Sequence, residues 1–170
     1  MGRIIVNTGN GKGKTTAALG LAFRALGHGQ HVCVLQFLKG KGDYGERLFA
    51  ENITNLEWHI CGKGFVFNKQ EITADREVAR QGFELAREKV LSDQFDLIIF
   101  DEITYLPLYG FLDVFAIVEL LQSRPERLNV VLTGRNADEA LCAIADTVTR
   151  MEDVKHAFND GVKAQKGIEY

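Results

Sequence analysis

Residues 8 to 16 read Thr8-Gly9-Asn10-Gly11-Lys12-Gly13-Lys14-Thr15-Thr16. Lysines and threonines interleaved with glycines are suited to one task, the binding of phosphate. Glycines let consecutive backbone N–H groups point at phosphate oxygens. Lys14 would neutralise phosphate charge, and the Thr15 hydroxyl would serve Mg²⁺. The common phosphate-loop spacing has glycine five positions before Gly13. That position is Thr8 here, glycine follows one residue later at Gly9, and a second lysine, Lys12, stands inside the loop. The flanks supply the required context. Ile4-Ile5-Val6 is a β-branched run, and Ala17-Ala18-Leu19-Gly20-Leu21-Ala22 opens a helical pattern whose positive end faces the loop. The chain is expected to bind a nucleoside triphosphate.

Other residues could act on such a ligand. Phe95-Asp96-Leu97-Ile98-Ile99-Phe100 is an apolar strand that delivers Asp101 and Glu102. An acidic pair there suits Mg²⁺, directly or through water, whereas Asp101 alone could instead cap a helix. Asn129–Leu132 delivers Thr133-Gly134-Arg135, and Arg135 either pairs with an acidic substrate group or stands on the surface at a helix start. Phe65 and Phe67 follow the loop Gly62-Lys63-Gly64; they are core residues or an apolar lid over a large flat ligand. The histidines (28, 31, 59, 156) show no metal-ligand spacing among themselves, and only His156 lies in a stretch that looks specified. No nucleophile elbow, Ser/Cys–His arrangement or protein-kinase catalytic motif is present. Either ATP hydrolysis drives a switch or motor, or the second substrate carries its own nucleophile.

The elements that must position these residues follow from periodicity. Strands are expected at Arg3–Thr8, His31–Phe37, Leu56–Cys61, Phe95–Phe100, Asn129–Leu132 and Thr147–Met151. Helices are expected at Lys14–Leu26, Thr73–Leu91, Val114–Leu121 and Ala137–Ala145. Lys39–Glu46 reads as a polar, glycine-rich loop, and Lys155–Tyr170 as mostly loop. Near-continuous apolar strands alternating with helices predict one α/β domain over residues 1–170, a mostly parallel sheet with helices on both faces. At 170 residues the chain can bury a core without staples. A net charge of −3 offers no broad attraction to nucleic acid or anionic membrane. Cys33, Cys61 and Cys142 are unpaired by spacing and read as buried thiols in a reducing compartment. With no room for a signal peptide before the first strand and no apolar stretch of membrane-spanning length, the expectation is a cytoplasmic protein.

The quoted motifs, with Gly-Phe-Val-Phe at 64–67, Asp-Glu-Ile-Thr-Tyr at 101–105, Thr-Gly-Arg at 133–135 and Lys-His-Ala-Phe-Asn-Asp-Gly-Val-Lys-Ala-Gln-Lys-Gly-Ile-Glu-Tyr at 155–170, resemble the P-loop-type ATP:corrinoid adenosyltransferases. The resemblance runs over essentially the whole chain, and the C-terminal stretch is its most specific part. It implies a P-loop (RecA-like) fold and transfer of the 5′-deoxyadenosyl group of ATP to the Co(I) centre of a reduced corrinoid, releasing triphosphate. It implies Mg²⁺, a homodimer and a flavoprotein reductant, with neither nucleic acid nor membrane as partner. By position, Gly9, Asn10, Gly11, Lys12, Gly13, Lys14, Thr15 and Thr16 would hold ATP, with the phosphates reversed relative to ordinary P-loop enzymes. Lys12, Lys14 and Glu102 would be catalytic; Thr15, Glu102 and Asp101 would serve the metal; Arg135 would meet substrate. Phe65 and Phe67 would pack beneath the corrin ring and expel the lower axial ligand; the second aromatic is commonly Trp in that family. Two other functions compete with this one. A P-loop ATPase, switch or motor, would yield ADP and phosphate without a corrinoid, and a corrinoid-binding chaperone or regulator would bind ATP without transfer.

Overall fold

Among the described residues six strands form one parallel sheet: β1 (Ile4–Thr8), β2 (Val32–Gln36), β3 (Leu56–Ile60), β4 (Leu97–Asp101), β5 (Asn129–Thr133) and β6 (Thr147–Arg150). The order is β3-β2-β4-β5-β1-β6, and every neighbouring pair is parallel. The computed structural model describes all residues except 39, 41, 43, 63, 65–71 and 170, and all described side chains except those of 72–74.

Strand periodicity divides the core into two layers. Ile4, Val6, Cys33, Leu35, Ile98, Phe100, Val130 and Leu132 face one side, where α3 (Ile72–Leu91), α5 (Val114–Gln122) and α6 (Glu139–Ile144) cover them with Phe83, Ala86, Val90, Ile117, Leu120, Leu121 and Leu141. Val32, Val34, Leu97, Ile99 and Val131 face the other side, against Ala18, Ala22 and Ala25 of α1 (Lys14–Gly27). Small residues at helical spacing let α1 lie close to the sheet. β2 and β4 are buried throughout, which is why their sequences are continuous apolar runs, whereas the edge strand β6 is exposed.

Two short helices depart from the expected elements. Gly45 and Glu46, expected in the polar loop, instead begin α2 (Gly45–Ala50), with Glu46 in its first turn, favourable to the helix dipole. Tyr105–Leu108 forms α4, a single turn containing Pro107. α2, six residues entered from a glycine-rich polar stretch, and α4, four residues containing a proline, show too little periodicity to be seen in sequence. Elsewhere the shifts are at boundaries. Phe95 and Asp96 precede β4, and Asp96 instead accepts hydrogen bonds from the His31 N–H at 2.9 Å and Arg127 at 2.6 Å. Helix α6 starts at Glu139 because Asp138 caps it, accepting from the Ala140 N–H at 2.8 Å. No helix among the described residues is long and apolar enough to cross a membrane.

Candidate functional site

The loop after β1 enters α1 through Gly13, which sits at φ +110° as the helix N-cap. Its conformation requires glycine. Gly9 and Gly11 answer a different demand. A Cβ on Gly9 would overlap the Met151 carbonyl oxygen, and one on Gly11 would lie 2.5 Å from that of Glu152. The Gly11 N–H donates to the Met151 oxygen at 2.9 Å. The backbone leaving β6 is therefore packed against the loop, and only two bare glycines let it approach. The loop residues that line the adjoining cleft are Lys12, Gly13, Lys14, Thr15 and Thr16; Gly9, Asn10 and Gly11 are not in its lining.

That cleft holds about 510 Å³ and brings Glu102, Tyr105 and Arg135 to the loop from the carboxyl ends of β4 and β5. The topology accounts for this. One strand, β5, separates the loop-bearing β1 from the acid-bearing β4, so all three strand ends open on one edge of the sheet. Asp101 is the hub. Fully buried, it accepts hydrogen bonds from the Thr15 hydroxyl at 2.7 Å, the Thr133 hydroxyl at 2.7 Å and the Gln36 side-chain amide at 3.0 Å. Gln36 is itself oriented by Trp58, whose indole N–H donates to its Oε1 at 3.1 Å. Asp101 thus ends a strand and caps no helix, correcting the alternative drawn from sequence. Its register neighbour on β2 is Gln36, a polar residue ending a buried strand, which was the available signal for this partner.

Glu102 follows at φ +64°, a left-handed conformation unfavourable to a residue with a Cβ. Its N–H is held by the Thr133 hydroxyl at 2.9 Å, so the same threonine that donates to Asp101 fixes this turn. The Glu102 side chain forms part of the cleft wall. Lys14 lies across the loop and donates to the Gly11 carbonyl at 2.6 Å. Burial holds the Lys14 pKa below that of an ordinary lysine, and the positive charge of Arg135 adds to this, against the opposing effects of Glu102 and Asp101. Arg135 is exposed on the cleft wall and does not start α6; its carbonyl accepts from the Thr104 hydroxyl at 2.7 Å. Gly134, at φ +141°, permits that contact, since a Cβ there would overlap the Thr104 oxygen.

The C-terminal stretch is mostly loop, as expected, with a 3-10 turn at Ala157–Asp160. His156 caps that turn, its Nδ1 accepting from the Phe158 N–H at 3.2 Å, which accounts for the specified look of the segment. Sequence reasoning missed where the stretch goes next. Gly167, Ile168 and Glu169 return to the loop after β1 and line the same cleft. Phe65 and Phe67 lie outside the described residues.

One donor set absent from the sequence reading converges away from the cleft. Cys33, Glu57 and His59 meet between β2 and β3, their donor atoms within 4.8 Å of one another. Lys89 of α3 donates to Glu57 at 2.7 Å and neutralises it, and burial pushes the Cys33 thiol above its ordinary range. Cys33 and Cys61 are buried, as expected, whereas Cys142 is only half-buried.

Comparison with known proteins matches the model of the family "ATP:corrinoid adenosyltransferase BtuR/CobO/CobP" over residues 1–170. The corrinoid adenosyltransferase of Escherichia coli (strain K12) is 42% identical over 169 residues, covering 99% of this chain and 86% of that protein. The corrinoid adenosyltransferase CobA of Salmonella typhimurium is 41% identical over 169 residues, with 99% and 86% covered. That of Pseudomonas aeruginosa is 38% identical over 170 residues, with 99% and 84% covered. Among solved structures, flagellar accessory protein FlaH from Methanocaldococcus jannaschii superimposes with a TM-score of 0.59 at 13% identity, over 86% of this chain and 69% of that one. That likeness speaks to the fold alone, a RecA-like α/β architecture. With a glycine-rich loop entering α1, an acidic strand end and a family match spanning every residue, the chain belongs to the ATP:corrinoid adenosyltransferase family.

Proposed function

We propose that this chain, as one cytoplasmic domain, carries out its family's transfer of the adenosyl group from ATP to a corrinoid by holding the triphosphate in the cleft beside Lys12–Thr16, so that a nucleophile supplied by the corrinoid attacks C5′. One observation carries this reading. The cleft gathers Lys12, Lys14 and Arg135 with two threonine hydroxyls and Glu102, while its described lining contains no Ser, Cys or His to act as nucleophile or base. Such cations and hydroxyls suit the stabilisation of a departing polyanion, and they fit a reactant that is itself strongly nucleophilic, as Co(I) in a reduced corrinoid is. The Co–C5′ bond forms with the cobalt electron pair, the C5′–O bond breaks, and inorganic triphosphate leaves with that bond's electrons. Lys14 shifts from the Gly11 carbonyl to a phosphate oxygen, and Lys12 and Arg135 spread the rest of the charge.

The donor set fits Mg²⁺. Thr15 and Glu102 offer hard oxygens at the cleft, and the Asp101 carboxylate 2.7 Å from the Thr15 hydroxyl orients it. Thr15 and Glu102 would hold the ion, with Asp101 acting through Thr15. Bound there, Mg²⁺ would neutralise charge on the triphosphate. Phe65 and Phe67 would serve the corrin side by keeping water from the lower face of the metal, a role that rests on the family resemblance. A homodimer and a flavoprotein electron donor belong to the same proposal.

The test is product analysis. Protein, MgATP and chemically reduced cobalamin should yield adenosylcobalamin and triphosphate in equal amounts. ADP and phosphate formed without corrinoid would instead make the chain an ATPase. Phe65→Ala should lose far more activity when cobalt is supplied as Co(II) with a weak reductant than when it is supplied as Co(I). Equal losses with a large fall in melting temperature would place the pair in the core.

A further inference from the structure

The described end of the chain, residues 165–169, is a self-capped turn. The Gln165 carbonyl accepts from the Ile168 N–H at 3.1 Å and the Glu169 N–H at 2.9 Å, with Gly167 at φ +83°. The Gln165 N–H in return donates to the Glu169 Oε2 at 2.7 Å. One carboxylate oxygen is thereby committed to the turn itself, which fixes the direction of the other. The turn touches the phosphate loop through Lys12. The Lys12 ammonium donates to the Ile168 carbonyl at 3.3 Å and lies 3.7 Å from the Glu169 Oε1. Gly167, Ile168 and Glu169 also form part of the cleft wall, which Glu102 and Arg135 share, and lie beside Lys12.

We infer that Glu169 is a positioning residue for Lys12: the turn at 165–169 is a strap that holds the extra lysine of the loop at the cleft, ready for the triphosphate. An ammonium has three N–H donors. The strap engages Lys12 with one hydrogen bond, to the Ile168 carbonyl, and with the ion pair to the Glu169 carboxylate at 3.7 Å, leaving N–H donors for phosphate. Lys12 is half-exposed on a loop rim, its side chain at 46% accessibility, and without the strap it would sample many rotamers that face solvent. Holding it beforehand removes ordering entropy from the binding step. The strap's own geometry is set by the Gln165 bonds and does not depend on Lys12, so the tether is formed before ligand arrives.

The inference rests on the triphosphate reading of the cleft, and the experiment separates the two. Inorganic tripolyphosphate with Mg²⁺ is titrated into the full chain and into Glu169→Ala, Lys12→Ala and the double variant, with adenosyl-transfer kinetics on the same four proteins. Glu169→Ala should weaken tripolyphosphate binding and raise the KM for ATP by about three- to tenfold, with kcat changed much less. In the Lys12→Ala background the same change should have no further effect, since Glu169 acts through Lys12. Glu169→Asp should restore part of the loss. Melting temperature should not move, because the strap is exposed. Amide exchange at Ile168 and Glu169 should already be slowed in the ligand-free chain and should not quicken when tripolyphosphate binds. Independent effects in the double variant, an unchanged KM in Glu169→Ala, or faster exchange on binding would each overturn the inference while leaving the site reading intact. Failure of tripolyphosphate to bind the unaltered chain, or unweakened binding by Lys12→Ala, would overturn the site reading and the inference together.

Discussion

Two side chains show how the cleft makes residues do what they ordinarily would not. Glu102 is held at φ +64°, where glycine would be at ease. Glu102→Gly should therefore leave the melting temperature unchanged or raise stability by up to about 1 kcal/mol, while activity collapses. Glu102→Gln, which keeps the backbone strain, should weaken activity and move its Mg²⁺ dependence to higher concentration. A Mg²⁺ titration on both variants checks this; an unchanged curve for Glu102→Gln would put the metal elsewhere. Lys14 presents the second case. Its removal in Lys14→Ala should cost on the order of 3 kcal/mol of transition-state stabilisation, roughly a hundredfold in kcat/KM, with the fold intact. Burial and Arg135 lower its pKa, so the ammonium loses its proton at a lower pH than a free lysine would. The pH profile of kcat/KM for ATP, which reports the free enzyme, should accordingly fall on the alkaline side before ordinary lysines titrate. Lys14→Arg should move that limb upward, whatever it does to the maximal rate.

The loop and α1 divide their glycines by function, and the element scale is where this can be tested. Gly20 lies within α1, exposed, and a Cβ there would meet nothing within 4 Å. Gly20→Ala should stabilise the protein by about 0.5–1 kcal/mol through helix propensity, without loss of activity. Gly11→Ala should do the reverse. Its Cβ would lie 2.5 Å from the backbone oxygen of Glu152, an atom that cannot swing aside. The loop and the exit from β6 would have to part, at a cost of about 1–3 kcal/mol, and activity would fall with the displaced Lys12 and Lys14. Thermal melts of the two variants, read beside their adenosylation rates, make the comparison. Equal stability in both would mean that β6 and the loop are less closely joined than the approach of Gly11 to the Glu152 carbonyl requires.

For the molecule as a whole, ligand and fold are linked. The cleft draws on the ends of β1, β4 and β5, the N-terminus of α1 and the strap, so a bound nucleotide ties together elements far apart in the chain. MgATP at a hundredfold excess over its dissociation constant should stabilise the folded state by about 2.7 kcal/mol, a rise of roughly 5–10 °C in melting temperature. The shift should require Mg²⁺ and should be much reduced in Lys14→Ala. A full shift in that variant would mean that the nucleotide binds away from the loop.

What the sequence by itself determined was local in origin. The Ile4–Val6 run, the spaced glycines, Lys14-Thr15 and the helical pattern after them lie within a short span, and each reports its own conformation. Strands buried on both faces wrote themselves as apolar runs, which was enough for a parallel sheet, and the motif string was enough for the family. Tertiary structure alone decided which distant groups meet. Thr15 reaches Asp101 across 86 positions, and Lys12 reaches Ile168 across 156. Neither pairing has a period or a spacing. Each depends on strand order, which comes from how the two apolar layers pack and not from any one segment's preference. The same holds for Gly9 and Gly11. Their presence was plain in sequence and attributed to phosphate, but the neighbour that excludes a side chain is the backbone at Met151 and Glu152, brought there by β6 pairing with β1.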